Sequence, residues 1–425
     1  MNVKWLRRSL WLAGFACLWL NILDDPPLQT GAYLQDVTAD SAVVAMITAE
    51  PTQLTCIVRD PAGQVVGTVP DPLHRRRHAM RIAGLRPGLE YSYALVQASG
   101  DEVDRGSFRT APVDDRAEVR FAFLGDSGGL PWWVWLQQTP ILHLPARWHW
   151  LPDSGTVTRI GAAVAEFDPE FVLHLGDVVY PRGLNAHYAS AFFRPFAATL
   201  RHAPMYAVLG NHDAMDSDGL QLLDNFRMPR SELTGDGRCF SFAWGPVRVI
   251  GLDCNSDRLG GVYPSDHPAT EYLSRELKAS TEPWVVVASH FPLRSQSRSF
   301  NRGDLLLRLL PVLRESQVSL YLSGHDHCYQ RFGGSDDPTG DGVPLVVSGG
   351  GGKSLYEIRP DSRYVLESSY HWCSAEVGAG VLTVRSHRLD GTLIDTFGLP
   401  LPEGAALERL RAVNPARASR IDALR

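Results

Sequence analysis

The spacing of apolar positions changes along the chain and divides it into regions. Over residues 29–112 apolar and polar positions alternate. Val37–Thr48 (VTADSAVVAMIT) and His78–Ala83 carry a period of two, and turn formers such as Asp60-Pro61-Ala62-Gly63 separate short runs. A period of two puts successive side chains on opposite faces, so this region predicts a small antiparallel β unit with one buried face. From Val119 onward the apolar runs become nearly continuous. Val119–Leu124, Phe171–Leu175, Met205–Leu209, Val247–Leu252, Trp284–Ser289 and Val318–Leu322 predict strands covered on both faces. Thr156–Phe167, Ala189–Thr199, Thr270–Ala279 and Asp304–Glu315 lie between them with helical spacing. This alternation predicts a layered α/β domain over residues 117–398. It closes with β-rich stretches at Leu345–Val347, Trp372–Val377 and Val381–His387, then a hairpin-like turn at Leu389-Asp390-Gly391-Thr392.

Three segments stand outside the pattern. Residues from about 130 to 160 hold five of the chain's 11 tryptophans, Trp132, Trp133, Trp135, Trp148 and Trp150. An insertion packed on its own domain, a substrate lid and a membrane-interface loop all remain open. The tail at 403–425 carries five Arg and no Lys, and reads as a solvated helix or a disordered end. At the N-terminus Lys4, Arg7 and Arg8 precede an apolar run from Leu10 to Leu20. That run is shorter than the roughly 20 residues a spanning helix needs, so residues 1–25 predict a signal peptide or membrane anchor. A degenerate twin-arginine signal at Arg7-Arg8, lipidation of Cys17 and a docked apolar helix are the competing readings. The expected location is exported: periplasmic, secreted or membrane-anchored facing outward.

Composition narrows the class little. The 425 residues accommodate two or three domains, and 44% hydrophobic with 21% charged residues is ordinary for a globular protein. A net charge of -6 gives no basic field, so nucleic acid is not an expected partner. Beyond Cys17, the cysteines Cys56, Cys239, Cys254, Cys328 and Cys373 show no CxxC spacing, which argues against a zinc–thiolate site and leaves one disulfide open.

The chemistry sits at the strand ends. Five apolar strands run into polar clusters: Gly125-Asp126-Ser127-Gly128, Gly176-Asp177-Val178-Val179-Tyr180, Gly210-Asn211-His212-Asp213, Ser289-His290 and Gly324-His325-Asp326-His327. In open α/β sheets ligands bind beyond the carboxyl ends of strands. Asp126, Asp177, Tyr180, Asn211, His290, His325 and His327 offer two carboxylates, a phenol, a carboxamide oxygen and three imidazoles, a set suited to two borderline-hard metal ions. The run Ser348-Gly349-Gly350-Gly351-Gly352-Lys353-Ser354 has the look of a P-loop, but Val347 stands where that spacing needs glycine. It predicts a tight loop at the rim of the site. His174, inside an apolar strand, reads as a core histidine.

This series resembles the calcineurin-like metallophosphoesterases and, more narrowly, the purple acid phosphatases. Ordinary members place a ligand histidine where this chain has Gly128. Purple acid phosphatases supply the missing ligand from a tyrosine at the place of Tyr180. Gly324-His325-Asp326-His327-Cys328-Tyr329-Gln330-Arg331 is similar to the family's Gly-His-x-His-x-Tyr-Glu-Arg. The Gly84–Tyr93 run, a Leu-x-Pro-Gly turn before a tyrosine-bearing strand, resembles the tyrosine corner of β-sandwiches. With the closing strand Ser107–Pro112, it makes residues 29–112 similar to a fibronectin type III-like domain, which plant-type members carry. The resemblance implies the fold: a four-layer β-sandwich flanked by helices, of metallophosphoesterase type, preceded by that all-β domain.

It also implies the ligand sets. The first metal takes Asp126, Asp177, Tyr180 and His327; the second takes Asp177, Asn211, His290 and His325, with Asp177 bridging. A phenolate favours Fe(III) at the Tyr180 site, with Fe, Zn or Mn at the other. The implied activity is binuclear hydrolysis of phosphate monoesters by a metal-activated hydroxide, with His212 as proton donor or clamp and Asp213 orienting it. The partner is then a phosphorylated small molecule, with a membrane tether through the N-terminal segment open. One departure stands out: Ser299 and Phe300 occupy positions where the family has further histidines, and Arg294, Arg298 and Arg302 lie nearby. A phosphodiesterase, or a phosphohydrolase for nucleotides or phospholipid headgroups on the same metal core, is the alternative. A non-enzymatic surface binding protein is the remote one.

Overall fold

The computed structural model describes residues 28–128, 155–230, 235–255, 267–297, 303–333 and 342–425. The leader, most of the Trp-rich insertion, and Arg298, Ser299, Phe300 and Arg302 lie outside the described residues. No helix among the described residues is long and apolar enough to cross a membrane.

Residues 28–112 form five antiparallel strands: β1 Tyr33–Gln35, β2 Ser41–Arg59, β3 Val65–Ala83, β4 Glu90–Gln97 and β5 Glu102–Arg109. β2 pairs along its length with β3, near its start with β1 and near its end with β4, which pairs with β5. The β2–β3 register slips between Ile47 and Thr52, so the two halves of β2 have different neighbours. Leu34, Val44, Leu54, Cys56, Met80, Leu95 and Phe108 are buried among these strands. The Tyr91 hydroxyl accepts a 2.9 Å hydrogen bond from the Arg86 amide, fixing the turn ahead of β4.

The larger region is built on two sheets. One runs β18-β17-β16-β6-β7-β8, the other β15-β13-β14-β12-β11-β10-β9. Their strands are β6 Val119–Leu124, β7 Phe171–His174, β8 Met205–Ala207, β9 Phe240–Trp244, β10 Val247–Leu252, β11 Trp284–Ser289, β12 Leu320–Ser323, β13 Tyr329–Phe332, β14 Leu345–Ser348, β15 Val365–Glu367, β16 His371–Gly378, β17 Val381–Arg388 and β18 Leu393–Pro400. β6, β7 and β8 are parallel, as are β10, β11, β12 and β14. The sheets meet along an aromatic seam. Phe171 lies 5.3 Å from both Phe242 and Trp244, and Tyr206 stacks on Phe242 at 3.9 Å.

Helices cover both outer faces. Thr156–Phe167 buries Val157, Ile160 and Val164, and its Phe167 packs on Trp372 of β16. Pro268–Ala279 and Gly303–Glu315 bury Leu273, Leu277, Leu305, Leu309 and Leu313 against Ile250, Val285, Val287 and Tyr321 of the other sheet. The layered α/β domain is the one the apolar pattern predicts, and its four layers are those the family resemblance implies. The helix expected at Ala189–Thr199 is instead three pieces, Asn185–Tyr188, a π turn at Ala189–Phe193 and Arg194–Leu200. Pro195 has no N–H to give the preceding turn, and the wider turn absorbs that loss. β18 has no counterpart in the sequence reading, because as an exposed edge strand it carries a weak apolar pattern.

The small β unit packs on the segment that follows β7. Tyr33 and Gln35 both donate side-chain hydrogen bonds to the Asn225 carbonyl, at 3.0 and 2.6 Å. Tyr206 donates to the Val37 carbonyl, and Tyr93 to that of Arg201. The five described cysteines are free and buried.

The tail corrects the sequence reading. It is helical, as one alternative had it, but docked rather than free: two helices, Gly404–Val413 and Pro415–Leu424, bury Leu407, Leu410, Ala418 and Ile421 and expose their other faces. Arg417, only 1% exposed, anchors it. Its guanidinium donates to the carbonyls of Glu282, Pro283, Ser316 and Gln317, in the loops that lead into β11 and β12. Composition hid this because the arginine's partners are backbone groups. Arg417→Met removes the donor from four carbonyls, two of them buried and two part-buried. It should cost about 3 kcal/mol or more in chemical denaturation. An unchanged denaturation midpoint would mean that the tail does not hold these loops.

Candidate metal centre

The carboxyl ends of β6, β7 and β8 in one sheet face those of β11 and β12 in the other. Asp126, Asp177, Asn211, His290 and His325 each lie just past one of these strands. Tight reversals deliver the side chains. Asp126, Asp177 and His325 have left-handed backbones, with φ of 60°, 53° and 68°. A non-glycine residue there costs on the order of 1–3 kcal/mol, and such strain concentrates at functional sites.

The seven donors gather into two groups that share one carboxylate. In the first, the Tyr180 hydroxyl lies 2.8 Å from Asp126 Oδ1, 2.8 Å from Asp177 Oδ2 and 3.2 Å from His327 Nε2. His327 Nε2 is 3.4 Å from Asp126 Oδ1. In the second, Asn211 Oδ1 lies 3.0 Å from both His290 Nε2 and His325 Nδ1, which are 3.2 Å apart. Asp177 Oδ2 also lies 3.5 Å from His290 Nε2, so Asp177 touches both groups. Asp126, Asp177 and His290 form a buried cluster whose donor atoms lie within 4.8 Å of one another.

Backbone groups orient these side chains. The Nδ1 of His290 sits 2.8 Å from the Leu175 carbonyl, and that of His327 sits 2.7 Å from the Ser354 carbonyl. A carbonyl only accepts, so both rings carry their proton on Nδ1 and turn Nε2 inward. The His325 amide donates to Asp126 Oδ2, and the His212 amide to Asp177 Oδ1. Tyr356 stacks on His327 at 4.1 Å. These carbonyls carry no sequence signal; only the fold reveals them.

The role expected for Asp213 is corrected. Its carboxylate does not reach the His212 ring. It accepts from the amides of Asp177, Val178 and Gly210 at 2.8–3.1 Å and so pins the second motif to the third. The His212 ring is held instead by the Pro181 carbonyl, 2.7 Å from Nδ1, and lies 4.4 Å from the Tyr180 ring. Neighbouring residues in a helical turn point their side chains in different directions, so adjacency in sequence misled. His174 is fully buried and bonds Ser127 at 2.9 Å, consistent with a core role. Arg294 is half-buried at the start of the segment that leaves the described residues.

Gly128 shows why the first motif has no side chain there. A Cβ on it would lie 2.5 Å from Val179 Cα and 2.7 Å from the Tyr180 amide nitrogen. The glycine lets the loop carrying Tyr180 press against the loop carrying Asp126. At Gly210 a Cβ would run into Asp177 itself.

The electrostatics fit cations. Asp126 and Asp177 are 0% and 1% exposed, and no Lys or Arg ion-pairs with either among the described residues. Burial raises the Tyr180 phenol well above its usual range, and the two carboxylates raise it further. Burial opposes ionisation of Asp177 as well, yet His290 and His212 hold its carboxyl well below the usual range. Burial lowers His290, but Asp177 more than reverses this and pushes it up to about 10. Burial pushes His325 down to about 4, leaving a neutral imidazole. Two buried carboxylates paired directly only with imidazoles are costly unless further positive charge joins them. The donors are all oxygen and nitrogen, so the residues present fit two borderline-hard ions.

Several known proteins are similar to this chain. The calcineurin-like phosphoesterase family matches residues 119–329. Purple acid phosphatase 17 of Arabidopsis thaliana is 27% identical over 215 residues, 46% of this chain and 62% of that protein. The tartrate-resistant acid phosphatase type 5 of Sus scrofa is 27% identical over 292 residues, 62% of this chain and 76% of that protein. The chain thus spans less than two thirds of the plant relative's length. A purple acid phosphatase isolated from yellow lupin seeds shares the fold with a TM-score of 0.71 at 17% identity, over 92% of this chain and 77% of that one.

Gly128→Ala tests the close approach of the two loops. The added methyl meets the backbone of Val179 and Tyr180, so it should destabilise the fold by about 1–3 kcal/mol and displace Tyr180. Thermal unfolding reads the first effect. The near-ultraviolet tyrosine signal reads the second, and wild-type values for both would refute the account.

Proposed function

We propose that this chain, a purple acid phosphatase-like member of the calcineurin-like phosphoesterases, hydrolyses phosphate monoesters with the aid of two metal ions. The observation that carries the reading is the pair of donor groups joined through Asp177. Asp126, Asp177, Tyr180 and His327 would hold one ion; Asp177, Asn211, His290 and His325 would hold the other. When bound, such a pair neutralises phosphoryl oxygens and lowers the pKa of a water to near neutrality.

The chain's own groups supply the rest. Asp177 keeps both donor groups in register through one carboxylate. Leu175 and Ser354 keep His290 and His327 in the tautomer that offers Nε2. His212 has Nδ1 committed to Pro181, so it presents an Nε2 proton to the leaving oxygen when the ring is an imidazolium. Asp213 is a positioning residue for the loops and not a partner of His212. The buried Tyr180 phenol is a hard donor once ionised, and this favours Fe(III) at its site; Fe, Zn or Mn suits the other. We also read residues 29–112 as a fibronectin type III-like domain, on the strength of the Tyr91 corner bond, and residues 117–398 as the catalytic domain. The charged and apolar run within residues 1–25 supports export.

Metal analysis with a visible spectrum tests the centre. Two metals per chain with about one iron and a tyrosinate band are expected from the donor count. A colourless zinc or manganese protein would rule out iron at Tyr180. Asp177→Ala should lose both metals and lower the turnover of an aryl monoester by more than about a thousandfold; retained turnover would refute the shared carboxylate. Assays of monoester and diester between pH 4 and 9 separate the substrate classes. A metal-loaded protein that cleaves neither is a binding protein.

A further inference from the structure

The glycine run after β14 sets a single cation against the candidate metal centre. Successive backbone bonds tie it to the Asp126 loop: Gly125 donates to the Ser348 carbonyl at 2.8 Å, Gly351 to that of Gly125 at 3.0 Å, and Lys353 to that of Asp126 at 3.0 Å. Just beyond, the Ser354 carbonyl receives His327 Nδ1, and the Tyr356 amide donates to the His327 carbonyl. Cβ atoms on Gly349 and Gly351 would strike backbone of the ligand loops, so only glycine allows this fit. Lys353 is therefore held by its own main chain and its neighbours at two points, each bonded to a residue of the first donor group.

Its side chain lies inward. The ammonium sits 4.6 Å from the centre of the Tyr180 ring, the ring that His212 approaches at 4.4 Å. The residue is half-buried. Its three N–H donors have no hydrogen-bond or ion-pair partner among the described residues. Two cations on these sheets are paired by contrast: Arg331 with Asp395 at 2.6 Å, and Arg248 with Glu282 at 2.7 Å. An ammonium that gives up water without gaining a carboxylate has its hydrogen bonds still to make, and an incoming oxyanion can accept them.

We propose that Lys353 is a substrate-binding residue whose ammonium contacts a non-bridging phosphoryl oxygen beside Tyr180. The inference rests on the phosphoesterase reading. It makes the glycine run the wall of the phosphate subsite, opposite in chemistry to the loop of His212: one side supplies a fixed positive charge, the other a transferable proton. Any ligand with a terminal phosphoryl group meets this contact, whatever its leaving group.

The test uses the full-length metal-loaded chain with inorganic phosphate as the probe, measured by calorimetry, and with KM and kcat for an aryl phosphate. Lys353→Met keeps the length of the side chain and removes the charge. It should weaken phosphate binding and raise KM by roughly tenfold or more, the loss expected for one charge-assisted hydrogen bond. The dependence of phosphate affinity on salt should also fall, while metal content and melting temperature stay at wild-type values. Lys353→Arg, which keeps the charge, should recover most of the affinity. Wild-type phosphate binding in a metal-loaded Lys353→Met protein would overturn the inference and leave the phosphoesterase reading standing. Loss of metal in Lys353→Met would also overturn it, by making Lys353 a support of Tyr180. A wild-type chain that takes up no metals would overturn both.

Discussion

Two carboxylates, Asp126 and Asp177, lie fully buried at the ends of adjacent parallel strands, paired with imidazoles but with no Lys or Arg among the described residues. Like charges so placed repel each other, and burial makes each costly. Much of the local architecture follows from holding them there. Each carboxylate accepts an amide from a later motif, Asp126 from His325 and Asp177 from His212. Asp213 closes a further link by gathering the amides of Asp177, Val178 and Gly210. The motifs are thus cross-linked through backbone donors. This lets three residues keep left-handed conformations that none would adopt alone.

The layers supply the rigidity that such strain needs. The motif strands belong to two different sheets, and the aromatic seam of Phe171, Tyr206, Phe242 and Trp244 fixes one sheet against the other. Arg417 performs a similar service on the far side, where it ties the C-terminal helix to the loops that enter β11 and β12. Those strands deliver His290 and His325. The stability of the tail and the position of two imidazoles are therefore linked through the same pair of strands.

What was legible in the sequence depended on whether side chains or backbone carried the information. Strands buried on both faces, such as Phe171–His174 and Trp284–Ser289, are written as unbroken apolar runs and were placed closely. The donor atoms come from side chains preceded by glycine, and the seven residues marked by pattern lie together in space. Asp213 was misread because its partners are amides and a residue beside His212 in a helical turn faces elsewhere. The tail was misread for the same reason, since Arg417 is satisfied by four carbonyls that composition cannot show. Lys353 stood in a glycine run that matched no nucleotide-binding spacing; its place over Tyr180 comes from bonds between that run and the Asp126 loop.

Gly128 and Tyr180 are joined by more than substitution of one ligand type for another. A histidine at position 128 would bring a Cβ to within 2.5 Å of Val179 Cα and 2.7 Å of the Tyr180 amide. The loop that carries the phenol into the centre could not then lie where it does. Absence of a side chain in the first motif is thus the steric condition for the donor in the second. The two changes are coupled through backbone contact, and either alone would leave the first donor group incomplete: glycine without tyrosine lacks a donor, and tyrosine without glycine lacks the room to enter. The same close approach sets the Tyr180 ring beside the Asp126 loop and within reach of Lys353 from the glycine run. A cation from that run and the imidazole of His212 can then both lie against it.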